Sequence, residues 1–100
     1  MILYNITVNI DQDVEKEWVQ WMKATHIPKV METGLFNEFK FYKLLHEMEG
    51  GGVNYSVQYF AESMDHVLDY QNNHDMKIHE VFNQKYNNKY ALFRSVLEQV

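Results

Sequence analysis

The stretch Ile2-Leu3-Tyr4-Asn5-Ile6-Thr7-Val8-Asn9-Ile10 decides the fold. Its even positions, Ile2, Tyr4, Ile6, Val8 and Ile10, are all apolar, while Asn5, Thr7 and Asn9 alternate with them. Successive side chains of a strand point to opposite faces of a sheet, so this period of two predicts a strand with one strongly apolar face. Such a face needs a layer to cover it, and the next residues supply one. Asp11 or Asp13 offers an N-cap, acidic residues fill the first turn, and Val14, Trp18, Trp21 and Met22 follow at helical spacing.

Working outward, Pro28 lacks an N–H and pushes Ile27 away from the α region, so the first helix is expected to kink or restart at His26-Ile27-Pro28 before Gly34 closes it. Residues 36–45 read as a second strand rich in aromatics, Gly50-Gly51-Gly52 as a hairpin connection, and Val53, Tyr55, Val57 and Tyr59 as the alternating face of a third strand. Ser63 is the expected N-cap of a second helical region that carries Met64, Val67, Leu68, Gln71, Ile78, Val81 and Phe82 and breaks near His74 and Asp75. Asn87-Asn88 turns the chain into a last strand over residues 90–100. The order is β-α-β-β-α-β, and the halves echo each other: a strand, a helix reaching a histidine (His26, His74), a shorter helix, then an aromatic strand holding a basic residue. This pattern predicts an α+β, ferredoxin-like βαββαβ fold, a four-stranded antiparallel sheet with both helices on one face, as one domain over residues 1–100.

The composition narrows the function. A length of 100 residues suffices for one core and not two, and 46% apolar with 15% aromatic content is too much for a disordered chain. No apolar run approaches the roughly 20 residues that span a bilayer, and the first residues lack a basic, cleavable leader, so no membrane partner and a cytoplasmic location are expected. The formal charge is −5 and the nine basic residues are scattered, which argues against nucleic acid. With no cysteine there is neither disulfide nor thiolate chemistry, and any metal would depend on His and carboxylates. His74 and His79 are five residues apart, on different helix faces, so no metal site is expected there with His66. The triple glycine is followed by no Lys-Ser or Lys-Thr and opens no helix, so it is not a phosphate loop.

A sheet covered by helices on one side leaves the other to water. Leu3, Phe60, Leu92, Val96, and either Phe39 with Phe41 or Tyr42 with Leu44, remain for that second face. Burying such side chains is worth about 1.5–3 kcal/mol each, which predicts a homodimer, its two sheets face to face in a dimeric α/β barrel. Asn5, Thr7, Asn54, Ser56 and Gln58 would place polar groups within or around the contact.

Trp18, Met22 and His26 step by four along one helix face with Trp21 beside them, so a pocket between the first helix and the sheet is expected from Trp18, Trp21, Met22 and His26, with Tyr4, Gln58 and Arg94 as further lining. A histidine at a helix joint among aromatic walls is a candidate catalytic base; the plainer reading, and the preferred one, is that the tryptophans are core and His26 caps carbonyls freed near Pro28. Arg94 is the only arginine, and its planar fork on a strand suits a carboxylate or phenolate.

The segments Asn5-Ile6-Thr7-Val8-Asn9, Glu17-Trp18-Val19-Gln20-Trp21-Met22-Lys23, His26-Ile27-Pro28, Gly52-Val53-Asn54-Tyr55-Ser56-Val57-Gln58-Tyr59-Phe60, Tyr70-Gln71 with His74, and Phe93-Arg94-Ser95-Val96-Leu97-Glu98 carry a resemblance. The chain resembles, end to end, the bacterial domain of unknown function 4286 family, itself similar to the dimeric α/β barrel superfamily. The H-x-P joint after a tryptophan-bearing helix is similar to that of EthD-like and antibiotic-biosynthesis-monooxygenase-like members. The family pattern has a proline two residues after the second histidine, where this sequence has Met76. The resemblance implies fold and dimer more firmly than activity, because one scaffold carries many chemistries. Three functions stay open. The first is a small-molecule binding module without catalysis or cofactor, taking a small apolar or aromatic ligand. The second is a cofactor-independent monooxygenase or isomerase acting on an aromatic or polyketide-like substrate. The third is a haem-binding protein with His26 or His74 as axial ligand.

Overall fold

The computed structural model describes residues 1–46 and 51–100; Gly50 of the expected glycine turn lies outside them. β1 (Ile2–Ile10) is a strand throughout, with Ile2, Tyr4, Ile6, Val8 and Ile10 buried and the residues between them half-buried. It is central, pairing antiparallel with β3 (Val53–Ala61) on one side and β4 (Tyr90–Glu98) on the other, so that Ile6 stands between Val57 and Arg94. β2 (Glu38–Lys43) pairs antiparallel with β3, giving the order β2-β3-β1-β4. The described residues measure 36 × 30 × 19 Å, the short dimension being that of one sheet and one helical layer. This is the ferredoxin-like βαββαβ arrangement.

The first helical region begins where Asp11 accepts the Asp13 N–H at 3.2 Å, capping a 3-10 turn (Gln12–Val14) that leads into α1 (Glu15–Trp21). At Pro28 the helix neither stops nor restarts. It widens first, in a π turn over Met22–His26, where the Ile27 N–H donates to the Met22 carbonyl five residues back, and then runs on as α2 (Ile27–Glu32). In a regular helix the proline ring at position 28 would strike the carbonyl four residues earlier, and the wider turn lets the chain pass it. Gly34, at φ +74, takes the chain out of α2. In the second half α3 (Met64–Asn73) follows Ser63, whose backbone is extended but whose hydroxyl makes no cap bond. His74 separates it from α4 (Asp75–Tyr86), and Asn88, at φ 66, turns the chain into β4. Among the described residues no helix is long and apolar enough to cross a membrane.

Three expectations about the sheet also need correction. β2 occupies residues 38–43 rather than 36–45, because Phe36 is drawn into the core between Tyr4 and Tyr59, with ring centroids 6.1 and 5.3 Å away. β4 ends at Glu98, not Val100: the ladder closes at the Ile2–Glu98 pair, and past it the Gln99 N–H donates to the Met1 carbonyl at 3.1 Å. The open face of the sheet also differs in membership. The β1–β4 register pairs Leu3 with Leu97, Asn5 with Ser95 and Thr7 with Phe93, so Phe93 and Leu97 point outward while Leu92 and Val96 turn to the helical side. Of the alternatives, Tyr42 faces outward opposite Ser56, with Leu44 just past the end of β2 and donating its N–H to the Asn54 carbonyl at 2.8 Å, whereas Phe39 and Phe41 lie on the helical side. The centre of the open face is polar: Ser56 donates to Asn5 Oδ1 at 2.6 Å, Asn5 donates to Thr7 Oγ1 at 3.1 Å, and Gln58 donates to Ser56 Oγ at 3.3 Å. Leu3, Phe60, Phe93, Leu97 and Tyr42 surround that strip.

Candidate functional site

His26 is the last residue of the π turn, immediately before Ile27 and Pro28. Only 7% exposed, it is the one buried residue among the described residues that is not hydrophobic. Its ring lies 5.3 Å from Trp21 and 5.4 Å, nearly perpendicular, from Phe82 on α4. Burial among those rings disfavours the charged form, and neighbouring His79 adds repulsion, so its pKa falls to about 4. The imidazole is therefore neutral near neutral pH. Its burial gives it two sides, one facing inward and one outward.

Inward, His26 borders a small enclosed cavity between the helices and the sheet, shared with Met22, Tyr59, Tyr70, Asp75, His79 and Arg94. The cavity measures about 10 Å³, space for about one water. Arg94 meets Asp75 at 3.4 Å across its edge, both side chains partly exposed. His79 reaches the Tyr90 hydroxyl at 3.0 Å, and that hydroxyl donates to Asn83 at 2.7 Å. The Tyr4 and Tyr59 hydroxyls are buried without a partner. Burial raises the pKa of Tyr4, an effect the nearby Asp75 carboxylate reinforces and the Arg94 and Gln71 side chains oppose. Burial raises Tyr59 and Tyr70 as well, so all three phenols are neutral donors in this interior.

Outward, Trp21 and His26 form the wall of a groove between the π turn with α2 and the middle of α4. Thr25 and Lys29 continue the first wall; Lys77, Ile78 and Val81 form the second. The groove has a volume of about 280 Å³ and a mainly apolar surface, just under the usual range for small-molecule pockets. His26 is common to both linings and so stands between the groove and the interior.

The family model described as Domain of unknown function (DUF4286) matches residues 1–100. The chain belongs to that family. No curated protein matches it. Solved structures show what this DUF4286 chain is similar to in fold. An ethyl tert-butyl ether D (EthD) family protein from Bacillus halodurans C-125 has a TM-score of 0.71 at 11% identity, with 100% of each chain covered. HapK from Hahella chejuensis has a TM-score of 0.71 at 8% identity, covering 100% of this chain and 93% of that one. A dimeric ferredoxin-like protein from an uncultured marine organism has a TM-score of 0.64 at 11% identity, covering 99% and 96%. At these identities the likeness is one of fold alone.

The structure of this DUF4286 member divides the expected site residues. Met22, His26 and Arg94 meet at the interior cavity, with Tyr4 close behind, its ring 5.9 Å from Tyr70. Trp21 sits at the outer groove. Trp18 joins neither, being fully buried and edge-on to Phe41, Tyr55 and Phe82 at 5.7, 5.0 and 6.3 Å. Gln58 lies across the sheet from His26, because strand alternation turns Val57 and Tyr59 to the helices and Gln58 to the open face. A His26 capping bond to the carbonyls near Pro28 is absent; its environment is aromatic. The sequence reading passed over Thr25, Lys29 and Lys77. Trp21, Thr25 and Lys29 also step by four, one stripe beside Trp18, Met22 and His26, and that second stripe was the available signal. Among the described residues no three His, Asp or Glu converge as a metal site.

Proposed function

We propose that residues 1–100 form one domain that pairs with a second copy through the open sheet face and binds a small apolar or aromatic molecule, without transforming it, in the groove between α2 and α4. The observation that carries the reading is the groove itself: a mainly apolar recess of about 280 Å³ with an indole and a neutral imidazole in its wall. Flat rings are the surfaces that aromatic and apolar ligands use. Binding rather than proton abstraction is supported by the same imidazole, since a base with a pKa of about 4 lies far from the neutral range in which general bases work best. The interior beside it, at about 10 Å³, has no room for a second ring or a macrocycle as folded.

Pairing is supported by the open face, where Phe93 is 63% and Leu97 48% exposed around a polar centre, and by a similar fold described as dimeric. The groove lies on the helical side, away from that face, so both copies would keep it open. The test is titration of the ¹⁵N-labelled protein with benzyl alcohol. The Trp21 indole N–H and the Ile78 and Val81 amides should shift together and saturate, and the Trp18 indole should not move. No saturable shift up to about 10 mM, a concentration at which even a weak fragment binds, overturns the reading.

A further inference from the structure

We propose that the groove selects a carboxylate: its ligand is a small aromatic or short aliphatic acid, the apolar body lying on Trp21, Ile78 and Val81 and the carboxylate held between Lys29 and Lys77. The inference rests on the groove being the ligand site and adds the charge of the ligand. Lys29 and Lys77 stand on opposite walls of the recess, one on α2 and one on α4, and the Thr25 hydroxyl adds a neutral donor. Among the described residues no carboxylate belongs to the lining. Among the described residues Lys77 makes no ion pair, and the pair Lys29 makes with Glu32 is long, at 4.0 Å, between side chains that are about two-thirds exposed or more. Such a pair is worth little, so Lys29 is free to turn to a ligand.

The rest of the molecule makes this rim unusual. The chain carries 14 acidic against nine basic residues, and a surface of net charge −5 repels anions on average. Two ammonium groups around an apolar recess reverse that locally. A cation would meet no carboxylate among the described lining residues, and a neutral ligand would leave both ammonium groups in water as before. An acid alone gains from all three features: the rings, the hydroxyl and the two charges. His26 is neutral in the back wall, so Lys29 and Lys77 are the positive charges of the described lining.

The experiment compares benzoate, benzyl alcohol and benzylamine, similar in size and differing in charge, on the wild type and on the Lys29→Glu/Lys77→Glu double variant. Both lysines are exposed, so circular dichroism should be unchanged. On the wild type benzoate should bind about five- to tenfold more tightly than benzyl alcohol, as expected for two exposed charge contacts, and benzylamine most weakly. The double variant should bind benzoate no more tightly than it binds benzyl alcohol, and salt should erode the benzoate preference in the wild type. Equal binding of benzoate and benzyl alcohol, or a preference that survives the charge reversal, overturns the selection and leaves the groove standing. Binding of none of the three overturns the groove and the selection together.

Discussion

Lowering the pH should destabilise this protein through His26, by an amount the structure sets. The folded pKa is lowered from 6.5 to about 4 by burial, with His79 on α4 repelling the charged form; Asp75 and Arg94, across the cavity, are paired with each other. Because the folded pKa lies below the unfolded one, the unfolded chain binds the proton first. Stability is therefore full above the unfolded value and is lost as pH falls toward the folded value. Between about pH 7 and pH 5 the difference amounts to about 2 kcal/mol, and its limit near pH 4 and below is about 3 kcal/mol, from 1.36 kcal/mol per unit. The assay is urea unfolding followed by tryptophan fluorescence at both pH values, for the wild type and His26→Leu at one protein concentration. His26→Leu shifts the absolute stability, but the carboxylates titrate alike in both proteins, so the change with pH isolates the imidazole. The wild type should lose about 2 kcal/mol more than the variant on going to about pH 5. Equal losses would refute the reasoning, because they would mean that the buried ring takes up its proton without penalty.

Three further expectations follow from the packing. Trp18→Ala removes a fully buried indole from between α1, β3 and α4 and should cost about 3–5 kcal/mol in urea unfolding; a loss under about 1 kcal/mol would deny that it is core. Tyr55→Phe removes the phenol that donates to Glu15 at 2.6 Å and is the main reason that carboxyl titrates below its ordinary value, so the Glu15 pKa measured by NMR should rise and stability at neutral pH fall by about 1 kcal/mol. Phe93→Asp puts a charge on the open face without touching the groove, and sedimentation at micromolar concentration should turn a dimer into monomer with benzyl alcohol binding retained.

The strand pattern of residues 2–10 was enough to orient the whole sheet, because a period of two with five apolar members admits one buried face and forces the helices onto it. Its partners were less legible. The residues of β4 are apolar on both sides, Leu92 and Val96 against Phe93 and Leu97, so alternation named two faces without saying which met the helices. Only the pairing of Ile6 with Arg94 decides that, and register between strands nearly ninety residues apart is not a local property. Phe36 shows a similar limit. An aromatic residue just before a strand reads as its first member, yet its ring is worth more between Tyr4 and Tyr59 than in the edge ladder.

The candidate site was legible as a place and not as a geometry, and the π turn is the reason. A step of four, applied across Met22–His26, puts Trp18, Met22 and His26 on one stripe and makes a single pocket of them. The wider turn inserts one residue per turn where Pro28 must be passed, so the stripe bends. Trp18 stays in the core, Met22 meets the interior cavity, and His26 is left with one side to that cavity and the other to the groove behind Trp21. The second half of the chain has no such proline. There Met76 follows His74 and Asp75, the helix breaks instead of widening, and His74 stacks half-buried on Tyr70 at 6.1 Å rather than entering the core. The two halves thus repeat in order while differing in what their joints present. The first offers a neutral imidazole, and the second offers Asp75 to hold Arg94 and, one turn on, Lys77 and Ile78 to close the groove. A site built from the difference between two similar halves escapes any reading that looks for what they share.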